Sequence, residues 1–203
     1  MLAVAASKSG IAFALNLDDG TLAWNTQVGP AGTIGGSMWG SAADSRAVYV
    51  SVNNFFHTPL GSFTPNTPTR TGGMIAALDS WDGSVLWSFA NPEPQLGAPD
   101  KNALSQAPVT VAADVVYYSS MDPQGKLFLL NARTGSVLNS FAMGASNACG
   151  PIVANGFLAS GSGYNNFGLG NSGAKVTALG LPGKKFCPAC AFGCEDSGKC
   201  RSS

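Results

Sequence analysis

"GMIAALDSWDGSVLW", residues 73–87, sets one short apolar run against another across a turn that closes on Gly83. Two further stretches align with it without gaps, "GIAFALNLDDGTLAW" (10–24) and "GKLFLLNARTGSVLN" (125–139). Gly20, Gly83 and Gly135 fall at the same position in the three copies. Only glycine takes a positive φ at low cost, so a fixed glycine between two apolar runs reads as a tight hairpin. In the first copy Ile11, Phe13, Leu15 and Leu17 alternate with Ala12, Ala14, Asn16 and Asp18. That is the period of a strand whose two faces meet unlike surroundings.

Two more short strands precede the second and third hairpins, "SMWGSAA" with "AVYVSVN" and "APVTVAA" with "VVYYSSM". Each unit then has four strands, the make-up of a propeller blade, and an all-β chain of about three to three and a half antiparallel blades is expected. The hairpin glycines are 83 − 20 = 63 and 135 − 83 = 52 residues apart. This exceeds the roughly 40 to 50 residues of common blades, and the Pro- and Thr-rich stretch "FFHTPLGSFTPNTPTRTGG" (55–73) accounts for most of the excess. A fourth unit shows as "ACGPIVANGFLASGSGYNN" followed by "AKVTALGLPG", with no clear last strand. An arc of this size leaves strand edges open. The chain is therefore expected to be a piece of a longer protein or to be completed by blades of a partner chain.

Composition narrows the function classes. Eleven basic and eleven acidic side chains cancel, so the basic excess that nucleic acid or an anionic membrane would attract is missing. No run approaches the roughly 18 apolar residues of a membrane span, and "MLAVAA" is too short, and lacks the basic flank, to read as a signal peptide. His57 is the single histidine and falls in the Pro-rich loop, which argues against a His-dependent nucleophile and for a surface role. "GLGNSG" (168–173) lacks the following helix a phosphate cradle needs and reads as a turn. Beyond residue 183 the composition changes to "KKFCPACAFGCEDSGKCRSS". A propeller region, 1–183, and a cysteine-rich tail, 184–203, follow. Cys187, Cys190, Cys194 and Cys200 admit two disulfides or a tetrahedral Zn²⁺ site, and their spacing favours disulfides and an oxidising compartment. Cys149, on an expected inner strand, reads as a small buried residue.

The hairpin resembles the tryptophan-docking repeat of quinoprotein dehydrogenases, roughly AxDxxTGxxxW, with Ala14, Asn16, Gly20 and Trp24 matching in part and Ala77, Asp79, Gly83 and Trp87 matching better. The third copy keeps Asn131, Thr134 and Gly135 but has Leu129 and Asn139, which points to a different contact there. "SQAPVTVAADVVYYSSMDPQGKLFLLNARTG" is similar to the polyvinyl-alcohol-dehydrogenase-like branch. The resemblance implies that each docking tryptophan packs on the next blade against a small residue. It also implies that "GGSMWGSAADSRAVYVSVNN" (35–54) is the floor of a cofactor site. Trp39, on the innermost strand, would then lie under pyrroloquinoline quinone (PQQ), and Asn54 would offer its oxygen to Ca²⁺, a pairing that suits a flat quinone and a hard cation. Asp100 would be the catalytic base that takes the hydroxyl proton of a small or polymeric alcohol. A basic residue of the family before the third hairpin is replaced by Pro123 and Gln124, with Lys126 nearby. The family's adjacent Cys pair and other calcium ligands are missing, so this chain alone is expected to be inactive. The resemblance further implies a periplasmic or extracellular setting. A propeller-derived binding or scaffold module without cofactor is the competing reading.

Overall fold

The computed structural model describes residues 1–173 and 175–181, so the cysteine tail and the choice between disulfides and zinc lie outside the described residues. The chain is a succession of antiparallel sheets of three, four, four and three strands. The first contains β1 (Leu2–Ala6), β2 (Ile11–Asn16) and β3 (Leu22–Gln27); the second β4 (Ala42–Ala43), β5 (Ala47–Val52), β6 (Met74–Asp79) and β7 (Val85–Ala90). A two-stranded hairpin, β8 (Pro94–Gln95) and β9 (Ala98–Asn102), precedes the third sheet. That sheet holds β10 (Thr110–Ala112), β11 (Val115–Ser119), β12 (Lys126–Asn131) and β13 (Val137–Ala142). The last holds β14 (Ile152–Ala154), β15 (Phe157–Ser162) and β16 (Lys175–Gly180). In each sheet the order in space is the order in sequence, and β10 lies against both β4 and β14. The first strands of the last three sheets thus converge on a common axis, and the sheets radiate from it as blades.

The N-terminal residues, read from sequence only as too short for a signal peptide, form β1, so the first sheet has three strands. The innermost strands are shorter than expected: within "SMWGSAA" only Ala42–Ala43 pairs with β5. The turn 168–173 follows a single 3-10 turn, Asn166–Gly168.

The docking hairpins explain why blades stack. Gly20, Gly83 and Gly135 take φ of +71°, +73° and +70°, and the first strand of each hairpin carries a register shift before the turn, at Ala14/Leu15, Ala77/Leu78 and Leu129/Leu130. A Cβ at Gly83 would stand 2.5 Å from the Trp24 ring, and one at Gly135 would stand 2.5 Å from the Trp87 ring. The turn glycine of one blade is therefore the small surface on which the previous blade's tryptophan rests. Trp87 also donates its indole N–H to the Ala132 carbonyl at 2.9 Å, and the same carbonyl accepts from Arg46 Nη2 at 2.5 Å and Tyr49 OH at 3.3 Å. Burial pushes the Tyr49 phenol up to about 12, helped by its 2.7 Å hydrogen bond to Asp44. In the third copy Asn139 replaces the tryptophan and its side-chain oxygen accepts the N–H of the adjacent Ser140.

Packing between blades fills both faces of the inner sheets. β5 is buried along its whole length. Val48, Val50 and Val52 face the first blade, with Ala12, Ala14 and Trp24. Ala47 and Tyr49 face the third, with Val116, Tyr118 and Phe128. In β2 the small residues Ala12 and Ala14 turn to this core, beside Trp24 and the β5 valines, while Leu15 is 41% exposed.

Substituting the two kinds of hairpin glycine should separate conformational from contact costs. Gly20→Ala meets no neighbour within 4 Å and should cost about 1 kcal/mol from its positive φ alone. Gly83→Ala must also displace the Trp24 indole and should cost about 3 kcal/mol or more. Urea denaturation of both variants measures the difference.

Candidate functional site

Strand alternation places the connections 28–41, 53–73, 91–109, 120–125, 143–151 and 163–173 on one side of the blades and the docking hairpins on the other. Nearly all buried polar side chains fall on the first side, among them Ser37, Asn53, Asn54, Asn91, Gln106 and Asp122. A propeller centre cannot be closed by apolar packing alone where many backbone segments converge, because their N–H and C=O groups need partners.

Trp39 stands three residues before β4, outside any strand, and its side chain is 54% exposed. The expected innermost-strand position is thus corrected; the carbonyl of the next residue, Gly40, accepts the Val109 N–H at 3.0 Å, joining the inner segments of two blades. The glycines before it have a tertiary role. A Cβ on Gly36, at φ +73°, would come 2.2 Å from the Lys8 carbonyl oxygen, and one on Gly35 would come 3.1 Å from the Phe55 nitrogen. They let the chain thread between the first blade and the start of the insert.

Asn53 and Asn54 are both buried, at 1% and 2% exposure, but they are used differently. Asn54 adopts φ +54° and donates from Nδ2 to the carbonyls of Thr58, Thr71 and Gly72 at 2.8–2.9 Å, while its Oδ1 accepts the Thr58 N–H at 3.0 Å. It closes both ends of the insert. Asn53 donates to the Ile34 carbonyl and, at 3.9 Å, to the Met38 sulfur, and its Oδ1 has no hydrogen-bond partner. Gln106, 2% exposed in the segment leading to β10, likewise has both side-chain polar atoms unpartnered. Sequence reading missed it; its only signal was an amide just before an inner strand.

Asp100 lies exposed on β9 and is within electrostatic reach of His57. His57 is half-buried at φ +53°, its Nδ1 3.0 Å from the Thr71 carbonyl, rather than a simple surface residue. Burial holds its imidazolium below the usual range, and Lys101 adds to this, while the Thr71 carbonyl and Asp100 oppose it. The hairpin bearing Asp100 is tied down by Asn102, whose Oδ1 accepts the Thr71 N–H and whose Nδ2 donates to the Pro92 carbonyl, both at 3.2 Å. Asn54, His57 and the strand of Asp100 therefore meet around Thr71.

A second network stands beside it. Asn91 donates to the Ala103 carbonyl at 3.0 Å and to Ser120 Oγ at 2.8 Å, and its Oδ1 accepts the Glu93 N–H. Asn147 repeats this after β13, accepting the Cys149 N–H and donating to Ser160 Oγ. Cys149 itself is exposed and precedes β14, in contrast to the buried strand position expected from sequence. Lys126 is ion-paired with Glu93 at 2.8 Å, so its charge is compensated. Both oxygens of buried Asp122 accept backbone N–H groups, of Gln124 and Lys126.

The exposed indole of Trp39 fits a planar conjugated ring. The Asn53 oxygen is the kind of neutral donor Ca²⁺ takes, but that ion binds six to eight oxygens. Among the described residues no group of three or more Asp, Glu, His or Cys side chains is placed to hold a metal.

These features define a β-propeller of the PQQ-repeat type with a polar hub face. Residues 55–170, more than half of the chain, match the family model PQQ_2, described as outer membrane protein assembly factor BamB, and the chain belongs to that family. A polyvinylalcohol dehydrogenase of a Pseudomonas species is 31% identical over 193 residues, covering 84% of this chain and 28% of that protein. The chain therefore spans little more than a quarter of the length of that relative. Two solved structures share the fold. Quinohemoprotein alcohol dehydrogenase from Comamonas testosteroni has TM-score 0.59 at 13% identity, covering 80% of this chain and 28% of that one. BamB from Moraxella catarrhalis has TM-score 0.54 at 18% identity, covering 78% and 39%.

Two measurements test this local structure. Asn54→Ala frees three carbonyls and forces alanine to positive φ, and should destabilise by about 2 kcal/mol or more in thermal melts. Because the folded His57 pKa is depressed, its stability contribution is complete above the unfolded value of about 6.5 and is lost as pH falls through the folded one. Wild-type stability should therefore fall more steeply below about pH 6.5 than that of His57→Asn, compared by urea denaturation across pH.

Proposed function

We propose that this chain is the C-terminal part of a PQQ-dependent alcohol dehydrogenase-like propeller, set in the periplasm or outside the cell. It supplies one wall of the cofactor site and acts on a small or polymeric alcohol. The observation that carries the reading is the exposed Trp39 indole, on the same segment as Met38, which Asn53 contacts while leaving its own buried oxygen unpartnered. When bound, PQQ supplies a carbonyl that accepts hydride from the alcohol carbon, and Ca²⁺ supplies polarisation of that carbonyl.

The residues of this chain divide the remaining work. Trp39 presents a flat apolar surface on which a quinone ring is held and shielded from water. Of the two amides, Asn53 has the free oxygen for the metal, while Asn54 is occupied in closing the insert. Asp100 takes up the hydroxyl proton of the substrate, which its exposed carboxylate on the loop face is free to do. The remaining metal ligands and the opposite wall come from further blades of the same or another chain.

A non-catalytic binding module is the second reading, favoured by the Lys126–Glu93 ion pair, which leaves no uncompensated ammonium beside the hub at that position.

The chain alone should show no alcohol-dependent dye reduction with PQQ and Ca²⁺. Joined to the missing blades, it should bind PQQ in a Ca²⁺-dependent way by absorbance titration. Trp39→Ala should then weaken binding at least about tenfold, on the scale of a lost stacking contact, and Asn53→Ala should remove the Ca²⁺ dependence. Undiminished binding by Trp39→Ala excludes the cofactor reading and leaves the binding module.

A further inference from the structure

The insert 55–73 is also folded onto the second blade. Leu60 and Thr64 are 0% and 3% exposed, and Phe63 offers its carbonyl to Ser88 Oγ at 2.8 Å. Between this wall and β7, the outermost strand of its sheet, runs a cleft of about 660 Å³. β7 lines it from Val85 to Ala90, and the insert lines it from Ser62 to Thr67. Its ring surface is that of Phe63, joined by the exposed side chains of Val85 and Leu86, whereas the Trp87 and Phe89 rings pack on the other face of β7 against the third blade. A cleft of this volume lies in the size range of small-molecule sites, and its walls mix apolar side chains with hydroxyls and amides.

Arg70 is the one charged side chain in the lining. Its Nη1 donates to the Asn91 carbonyl at 3.2 Å, which fixes the guanidinium at the cleft. The ion pair found among the described residues is Lys126–Glu93, so Arg70 faces the cleft without a carboxylate partner. A guanidinium carries five N–H donors in a planar fork that matches a carboxylate bidentately. One backbone acceptor leaves most of that capacity open.

We propose that this rim cleft is a binding site for a small carboxylate with an apolar aryl or alkyl body. Arg70 pairs with the carboxylate, and the body lies on Phe63 and on the exposed side chains of Val85 and Leu86. The site is separate from the hub and stands whether or not a quinone binds there.

The test uses the full ¹⁵N-labelled chain titrated with 4-phenylbutyrate and, separately, with the uncharged 4-phenylbutan-1-ol, followed by amide chemical shifts. The carboxylate should saturate shifts in residues 62–70 and 85–90 at sub-millimolar concentration, and the alcohol should bind at least about tenfold more weakly, the loss of one charge-assisted pair. Arg70→Met should bring the carboxylate down to the level of the alcohol. The proposal is overturned if the carboxylate gives no saturable shift in these segments, if acid and alcohol bind alike, or if Arg70→Met binds the acid undiminished. Should Arg70→Met fail to fold, the comparison of acid and alcohol on the unaltered chain decides.

Discussion

The Trp87 indole rests on Gly135 of the following blade and gives its N–H to the Ala132 carbonyl, and the rest of the architecture hangs on this contact and on its Trp24–Gly83 counterpart. A blade is a twisted sheet that cannot satisfy its own apolar faces. It must lie against a neighbour at a fixed distance and angle. A large rigid side chain meeting a residue with no Cβ sets that distance to within an atom's width, and the shared carbonyl, which also holds Arg46 and Tyr49, sets the angle. Because both halves of the contact belong to one short hairpin, repeating the hairpin repeats the geometry.

That geometry separates two kinds of surface. On the hairpin side the same tryptophan-on-glycine contact recurs, Trp24 on Gly83 and Trp87 on Gly135. On the opposite side the connections differ in length and carry amides and hydroxyls. Asn54, Asn91 and Asn147 each use their side chains to tie a connection to the backbone or to a neighbouring serine. A stiff apolar frame thus holds a variable polar face, the usual division between scaffold and function in such folds. The oxygen of Asn53 and the amide of Gln106, by contrast, are buried without a hydrogen-bond partner.

The rim adds a third surface. The insert that lengthens the second repeat is fixed by Leu60 and Thr64 and walls a cleft against β7, so a length irregularity in the sequence corresponds to a distinct structural element. The ends of the arc differ from its middle. β5, between two blades, is buried throughout, whereas β16 alternates between exposed and partly buried residues.

Much of this was legible in the residues. The aligned glycines, the alternating strands and the tryptophan spacing describe the blade, because φ preference and strand period are local properties that act within a few residues. The resemblance carried by those hairpins pointed to the hub residues and to their candidate roles. What the chain did not disclose were relations set across blades. That Ala12 and Ala14, not Ile11 and Phe13, form the packed face of β2, beside Trp24 and the β5 valines, is one of them. Ala113 and Asp114 take φ of +50° and +61° with no glycine to announce a turn, held there where the Asp114 carbonyl accepts the Ala132 N–H. The sharing of work between Asn53 and Asn54, adjacent and alike in sequence, was decided by which backbone groups the insert brought to one of them and not the other. Local chemistry is encoded residue by residue, but the partner of a buried polar atom is chosen by segments that meet only when the blades close together.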